Sequence, residues 1–194
     1  MKIKLCGMFR DCDIDFANEA KPDYIGFILG FPKSHRNIDR ETAQRLRSRL
    51  SPEITAVGVF VNSSETTCAE YANCGIIDVI QLHGQEDADY IRRIRKLTDA
   101  PIIKAAKIRA PEDIALVQSL GADYVLLEMF DHSLLEGAEI SQPFFLAGGL
   151  TPDNLRNAAE NIQPYCVDLS SGVETDRVKD REKMLAAVRI IRDL

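Results

Sequence analysis

The segment 144–174 reads FFLAGGLTPDNLRNAAENIQPYCVDLSSGVE and holds two strand-like runs with a helix between them. Phe144 to Ala147 is a short apolar run that stops at Gly148-Gly149. Thr151-Pro152 then offers a capping side chain followed by proline at a first helical position, where the missing N–H costs nothing. The second run, Cys166 to Leu169, stops at Ser170-Ser171-Gly172. Apolar strands joined by a helix imply a parallel sheet, because a parallel connection must cross back over the sheet.

The same unit repeats toward the amino terminus. Apolar, β-branched runs occur at Ile3 to Cys6, Tyr24 to Leu29, Ala56 to Val61, Val79 to Leu82, Ile102 to Ala106 and Tyr124 to Leu127. The eight starts are separated by 21, 32, 23, 23, 22, 20 and 22 residues, close to one βα unit each. Eight units predict an α/β fold, a single-domain (β/α)8 TIM barrel over residues 1–194. Asp39 is placed to cap a helix over Arg40 to Leu50, and Pro111-Glu112-Asp113 to open another. A last helix near Asp180 to Leu194 sets Met184, Leu185, Val188 and Ile191 on one face. The sixth unit is the exception: only Glu128 to Pro143 separates two strands, so its helix is expected to be short or absent.

Composition narrows the class of partner. The chain has 194 residues, 45% hydrophobic and 28% charged, with a formal charge of −6 that argues against general nucleic-acid affinity. The arginine-rich stretches at Arg40 to Arg49 and Arg92 to Lys96 are broken by acidic and apolar residues and read as solvated helix faces. Met1-Lys2-Ile3-Lys4-Leu5 has no apolar signal region, and no stretch approaches the roughly 18 apolar residues of a membrane span, so a cytoplasmic protein is expected. Cys6, Cys12, Cys68, Cys74 and Cys166 include no CxxC pair and read as reduced thiols rather than a disulfide framework or zinc site.

In a parallel barrel, chemistry sits at the carboxyl ends of the strands. Gly148-Gly149 and Ser170-Ser171-Gly172 follow the last two strands, where barrels commonly bind phosphate with backbone N–H groups. Tight βα turns alone would also favour these glycines. The other strand ends carry K-x-C-G at Lys4 to Gly7, F-P-K-S-x-R at Phe31 to Arg36, G-V-F-V-N at Gly58 to Asn62 and Q-L-H-G at Gln81 to Gly84. G-G-L-x-P-x-N at Gly148 to Asn154 and D-x-S-S-G-V-E at Asp168 to Glu174 complete the set.

Six motifs in this order, spanning almost the whole chain, resemble the phosphoribosylanthranilate isomerase family. The resemblance implies an Amadori rearrangement in tryptophan biosynthesis, acting on a small phosphorylated anthranilate-sugar without metal, nicotinamide or flavin. It makes Cys6 the general base that removes a carbon-bound proton. That role asks for positive potential to lower a thiol pKa of about 8.5. It sets Arg36 opposite the anthranilate carboxylate, for which a guanidinium offers two parallel hydrogen bonds. His83 becomes a candidate to contact substrate or orient a neighbour, and Asp168 to support the eighth-strand site. A buried small residue, a surface arginine, a backbone-bonded histidine and a loop cap are the corresponding structural alternatives.

The resemblance breaks at the sixth strand, where the family carries an aspartate as general acid and a longer glycine-rich loop. This chain has Glu128-Met129-Phe130-Asp131-His132 and a shortened connection. Glu128 aligns with the aspartate and retains a carboxyl group one methylene further out; Asp131 is the other candidate. Two further readings follow from that departure. One is a decayed or regulatory barrel that binds the phosphorylated ligand without efficient turnover. The other is an isomerase for another aminoaldose phosphate. A monomer and a homodimer are equally compatible with the sequence.

Overall fold

The computed structural model describes residues 1–135 and 137–194. Its eight barrel strands are Lys2–Cys6, Tyr24–Leu29, Thr55–Phe60, Val79–Leu82, Ile102–Lys107, Tyr124–Glu128, Phe144–Ala147 and Cys166–Leu169, numbered first to eighth below. All pair in parallel with their chain neighbours, and the first pairs with both the second and the eighth, so the ring has no open edge. A two-residue strand, Asn37–Ile38, pairs in parallel alongside Ile28 and Leu29 of the second strand, and a small hairpin, Glu174–Thr175 with Val178–Lys179, follows the eighth.

Helices Asp11–Ala20, Arg40–Arg49, Glu65–Asn73, Ala88–Ile94 and Pro111–Gln118 follow the first five strands, and Pro152–Ile162 and Arg181–Arg192 follow the last two. Among the described residues after the sixth strand there is only a 3-10 turn, His132–Leu135, as the short spacing predicts. The Asp39 carboxylate caps its helix by accepting the Thr42 N–H at 2.8 Å. The sixth of these helices starts at Thr151-Pro152 and the last turns its apolar side to the core, as expected, with two differences of detail. The Thr151 hydroxyl makes no cap; instead Asn154 Oδ1 accepts the Thr151 N–H at 2.8 Å, closing the helix start from inside. On the last helix the buried residues are Met184, Ala187, Val188 and Ile191, while Leu185 lies half-buried at the edge of the face.

Strand periodicity sorts the core into two shells. Ile3, Leu5, Ile25, Phe27, Ile80 and Leu82 pack outward against the helices, whereas Val57, Val79, Ile103, Leu126 and Phe145 fill the barrel. Interior residues of such a barrel form layers of four drawn from alternate strands. The register places Gly26, Gln81, Leu126 and Asp168 in one layer. Toward the carboxyl ends, the next layer holds Cys6, Val59, Ala105 and Ala147, and the one above it Ile28, His83, Glu128 and Ser170. The fold thus brings residues scattered from 6 to 170 into adjacent tiers of the barrel interior.

Candidate active site

Cys6 ends the first strand and is buried over Gly26, where an added Cβ would stand 2.5 Å from its Sγ. Lys4, two residues earlier on the same face, is fully buried and donates to Asp168 Oδ2 at 2.6 Å. Burial works against the Lys4 charge, but Asp168 and the Cys6 sulfur outweigh it and hold the ammonium above its ordinary range. The thiol shows the opposite balance. Burial pushes Cys6 up, Lys4 pulls it down, Asp168 pushes it up again, and the net position is above an ordinary thiol. The positive potential asked for by the sequence is present in Lys4 and Lys179, yet without substrate it does not overcome burial.

Arg36 crosses Gly7, where a Cβ would meet its Cδ at 2.4 Å. Its Nε and Nη2 donate to Glu174 Oε1 and Oε2 at 2.6 and 2.7 Å. Glu174 also accepts from Lys179 Nζ at 2.7 Å. Burial would raise the Glu174 carboxyl, but Arg36 and Lys179 together pull it to about 2. The bidentate pair occupies one edge of the guanidinium, leaving the Nη1–Nη2 edge geometrically suited to a second carboxylate. Lys179 Nζ donates as well to the Ser170 carbonyl at 2.9 Å, and Ser170 Oγ to the Cys6 carbonyl at 3.2 Å. These bonds tie the end of the eighth strand to the end of the first.

On the facing wall, His83 Nε2 lies 3.2 Å from Glu128 Oε2, with side chains 32% and 28% exposed. The bond to His83 pulls the Glu128 carboxyl below its ordinary value, partly offset by burial and assisted by Lys107. Asp131 is exposed and spent on the 3-10 turn, where its Oδ1 accepts from Ser133 N–H and Oγ at 3.0 and 2.7 Å. A cavity of about 650 Å³ opens beside His83 and Lys107 and runs outward to Val117 on the fifth helix. It flanks the tiers containing Cys6 rather than enclosing the thiol.

Gly148 and Gly149 have φ of 109° and 63°, in the left-handed region that suits glycine. A Cβ on Gly148 would lie 2.1 Å from the Met129 carbonyl oxygen, and one on Gly172 1.8 Å from that of Leu150. Close packing of loop on loop therefore accounts for both glycines. Among the described residues, the N–H groups of Gly149, Ser171 and Gly172 have no protein acceptor, so they are free to meet an anion.

All ten residues singled out in the sequence lie at the carboxyl end of the barrel. Cys6, Asp168 and Ser170 share one wall, His83 and Glu128 the other, and Arg36 bridges to the hairpin. Lys4, Glu174 and Lys179 were missed. A lysine two residues before Cys6 within an apolar run was a legible signal for the first, and Glu174 stood inside the eighth-strand motif. Nothing local marked Lys179, whose burial depends on the hairpin.

The family described as N-(5'phosphoribosyl)anthranilate (PRA) isomerase matches residues 3–189. The N-(5'-phosphoribosyl)anthranilate isomerase of Endomicrobium trichonymphae is 42% identical over 205 residues, covering 100% of this chain and 99% of that protein. A crystal structure of phosphoribosyl anthranilate isomerase from Thermotoga maritima is 30% identical, covers 100% of both chains and has a TM-score of 0.90. Another phosphoribosyl anthranilate isomerase structure, in complex with reduced 1-(o-carboxyphenylamino)-1-deoxyribulose 5-phosphate, is 31% identical over 100% of both chains, again with a TM-score of 0.90. With its motifs in order, its barrel closed and its whole length matched, the chain belongs to the N-(5'-phosphoribosyl)anthranilate isomerase family.

Proposed function

We propose that this protein isomerises N-(5'-phosphoribosyl)anthranilate to 1-(2-carboxyphenylamino)-1-deoxyribulose 5-phosphate in tryptophan biosynthesis, with Cys6 as base and Glu128 as acid. The observation that carries the assignment of roles is the pair of facing walls: a buried thiol beside Lys4 and Asp168, and a half-exposed carboxyl bonded to His83. Glu128 protonates the ribose ring oxygen, the C1–O bond breaks, and the nitrogen lone pair forms a protonated imine at C1. Cys6, as thiolate, then removes the proton at C2. The C2–H electron pair becomes the C1–C2 double bond of an enolamine, which tautomerises to the ketone product.

Each wall must change state when substrate binds. The Glu128 carboxyl is ionised beside His83 in the free protein; an anionic substrate and the loss of water raise its proton affinity. The N–H groups of Gly149, Ser171 and Gly172, with Gly148 and Ser170 shaping the turns, anchor phosphate remote from the reacting carbons. The free edge of Arg36 takes the anthranilate carboxylate. Asp131 is spent on its turn, which favours Glu128 as the proton donor.

In this reading the chain works as one barrel domain in the cytoplasm, as a monomer or homodimer. No described helix is long and apolar enough to cross a membrane. Steady-state turnover of N-(5'-phosphoribosyl)anthranilate, paired with a binding measurement, tests the reading. Turnover with saturation is expected; binding without turnover would instead identify a decayed or regulatory barrel, and neither would remove the assignment.

A further inference from the structure

The barrel interior below Cys6 holds a polar group that the reaction above leaves unused. Gln81 is 1% exposed, and its Oε1 has no hydrogen-bond partner among the described residues. Its direction follows from the strand: Ile80 and Leu82 pack outward against the helices and Val79 packs inside, so Gln81 points into the barrel. A buried amide without a partner is destabilising, and an aliphatic side chain such as Leu126 in the same layer avoids that cost.

Asp168 occupies the same layer across the ring. Lys4 holds its Oδ2, while its Oδ1 is also buried without a partner among the described residues. In the layer above, Ala105 and Ala147 carry only methyl groups, so little side-chain bulk stands between this layer and the strand ends. Two buried acceptors thus share the layer below the thiol, and both lack donors among the described residues. On a ligand of the proposed class, the phosphate and carboxylate are acceptors at neutral pH; the sugar hydroxyls are donors.

We propose that Gln81 is a further substrate-contacting residue, whose amide oxygen accepts a hydrogen bond from a hydroxyl of the ligand's sugar segment. The inference rests on the function proposed above and adds a specificity element to it. No proton is transferred to Gln81. Its effect is to hold the sugar chain at the depth where the C2–H faces Cys6, with Asp168 gripping from the opposite side.

Calorimetric binding of two unreactive ligands to the full chain tests this. One is the reduced form of the ketone product; the other is N-(5-phosphopentyl)anthranilate, which keeps both anionic ends and lacks the hydroxyls. Gln81→Met, close in length and without hydrogen bonding, should weaken the first ligand by about three- to tenfold and leave the second within about twofold. Gln81→Asn, which keeps the amide but draws it back by a methylene, should shift the ratio in the same direction and serves if the Met variant fails to fold. Equal weakening of both ligands, or of neither, overturns the contact while the proposed function stands. Wild-type protein that binds neither ligand overturns both.

Discussion

The sixth and eighth strands both end at the cavity mouth, yet they leave it in opposite ways. After the eighth, the chain folds into a 3-10 turn and a hairpin, and buries Glu174 and Lys179 in a network with Arg36. After the sixth it makes one 3-10 turn and returns. Glu128 is left half-exposed with His83 as its close side-chain partner among the described residues, and Phe130 stands 82% exposed over Gly149. The contrast separates two ways of tuning an ionisable group. Around Cys6 the charges are fixed by protein geometry; around Glu128 much of the environment must come with the ligand.

The largest expected effect is on the fixed wall. Cys6→Ala removes the base placed beside the proposed C2 position and should reduce kcat by at least the ~10²- to 10⁴-fold typical of lost acid–base catalysis, with ligand binding retained. Near-normal turnover in stopped-flow or steady-state assays would move the base elsewhere.

A smaller effect is expected at the cation that supports it. The Cys6 thiol lies above its ordinary range in the free protein, so the thiolate fraction, and with it kcat/KM, should climb as pH rises into the alkaline range. Lys4→Met takes away the main attraction holding that value down. The ascending limb should then move to still higher pH, and kcat/KM at pH 7 should fall about tenfold for every pH unit the limb travels. An unmoved limb would show that Lys4 serves only to pair Asp168.

A third effect concerns stability rather than rate and separates the two strand ends directly. Glu174 sits at about 2 in the folded protein, below its ordinary value, so the stability it contributes is present above about pH 4.5 and is lost as pH falls toward 2. The contribution is on the order of 3 kcal/mol. In acid denaturation followed by circular dichroism, Glu174→Gln should flatten that limb and lower stability at neutral pH. Glu128→Gln, at a half-exposed site, should leave the acid limb close to wild type. Similar acid limbs for the two variants would erase the contrast between the strand ends.

Much of this arrangement was legible because the barrel repeats a simple pattern. Tyr24–Leu29, Val79–Leu82, Phe144–Ala147 and Cys166–Leu169 have the limits that their apolar runs suggested, since an apolar strand bounded by polar turns leaves little choice. The candidate site residues were read from motifs at strand ends, where fold and chemistry coincide. What escaped depended on contacts distant in sequence. Arg36 appeared as an open guanidinium, but its pairing with Glu174 spans 138 residues. Burial of Cys6 beside Asp168 set its proton affinity higher than the nearby lysines alone suggested. The Thr151 hydroxyl is not needed as a cap, because the Asn154 N–H donates to the Thr151 carbonyl at 3.2 Å.

The proposal that Glu128 still supplies the acid at the end of the sixth strand is put at risk by the turnover of Glu128→Gln. Gln keeps the size and hydrogen-bonding capacity of Glu128 but has no proton to donate. A fall in kcat of about 10²- to 10⁴-fold is expected, with binding of the reduced product analogue nearly unchanged and recovery in Glu128→Asp. A Glu128→Gln enzyme as fast as wild type, particularly one inactivated by Asp131→Asn, would contradict it.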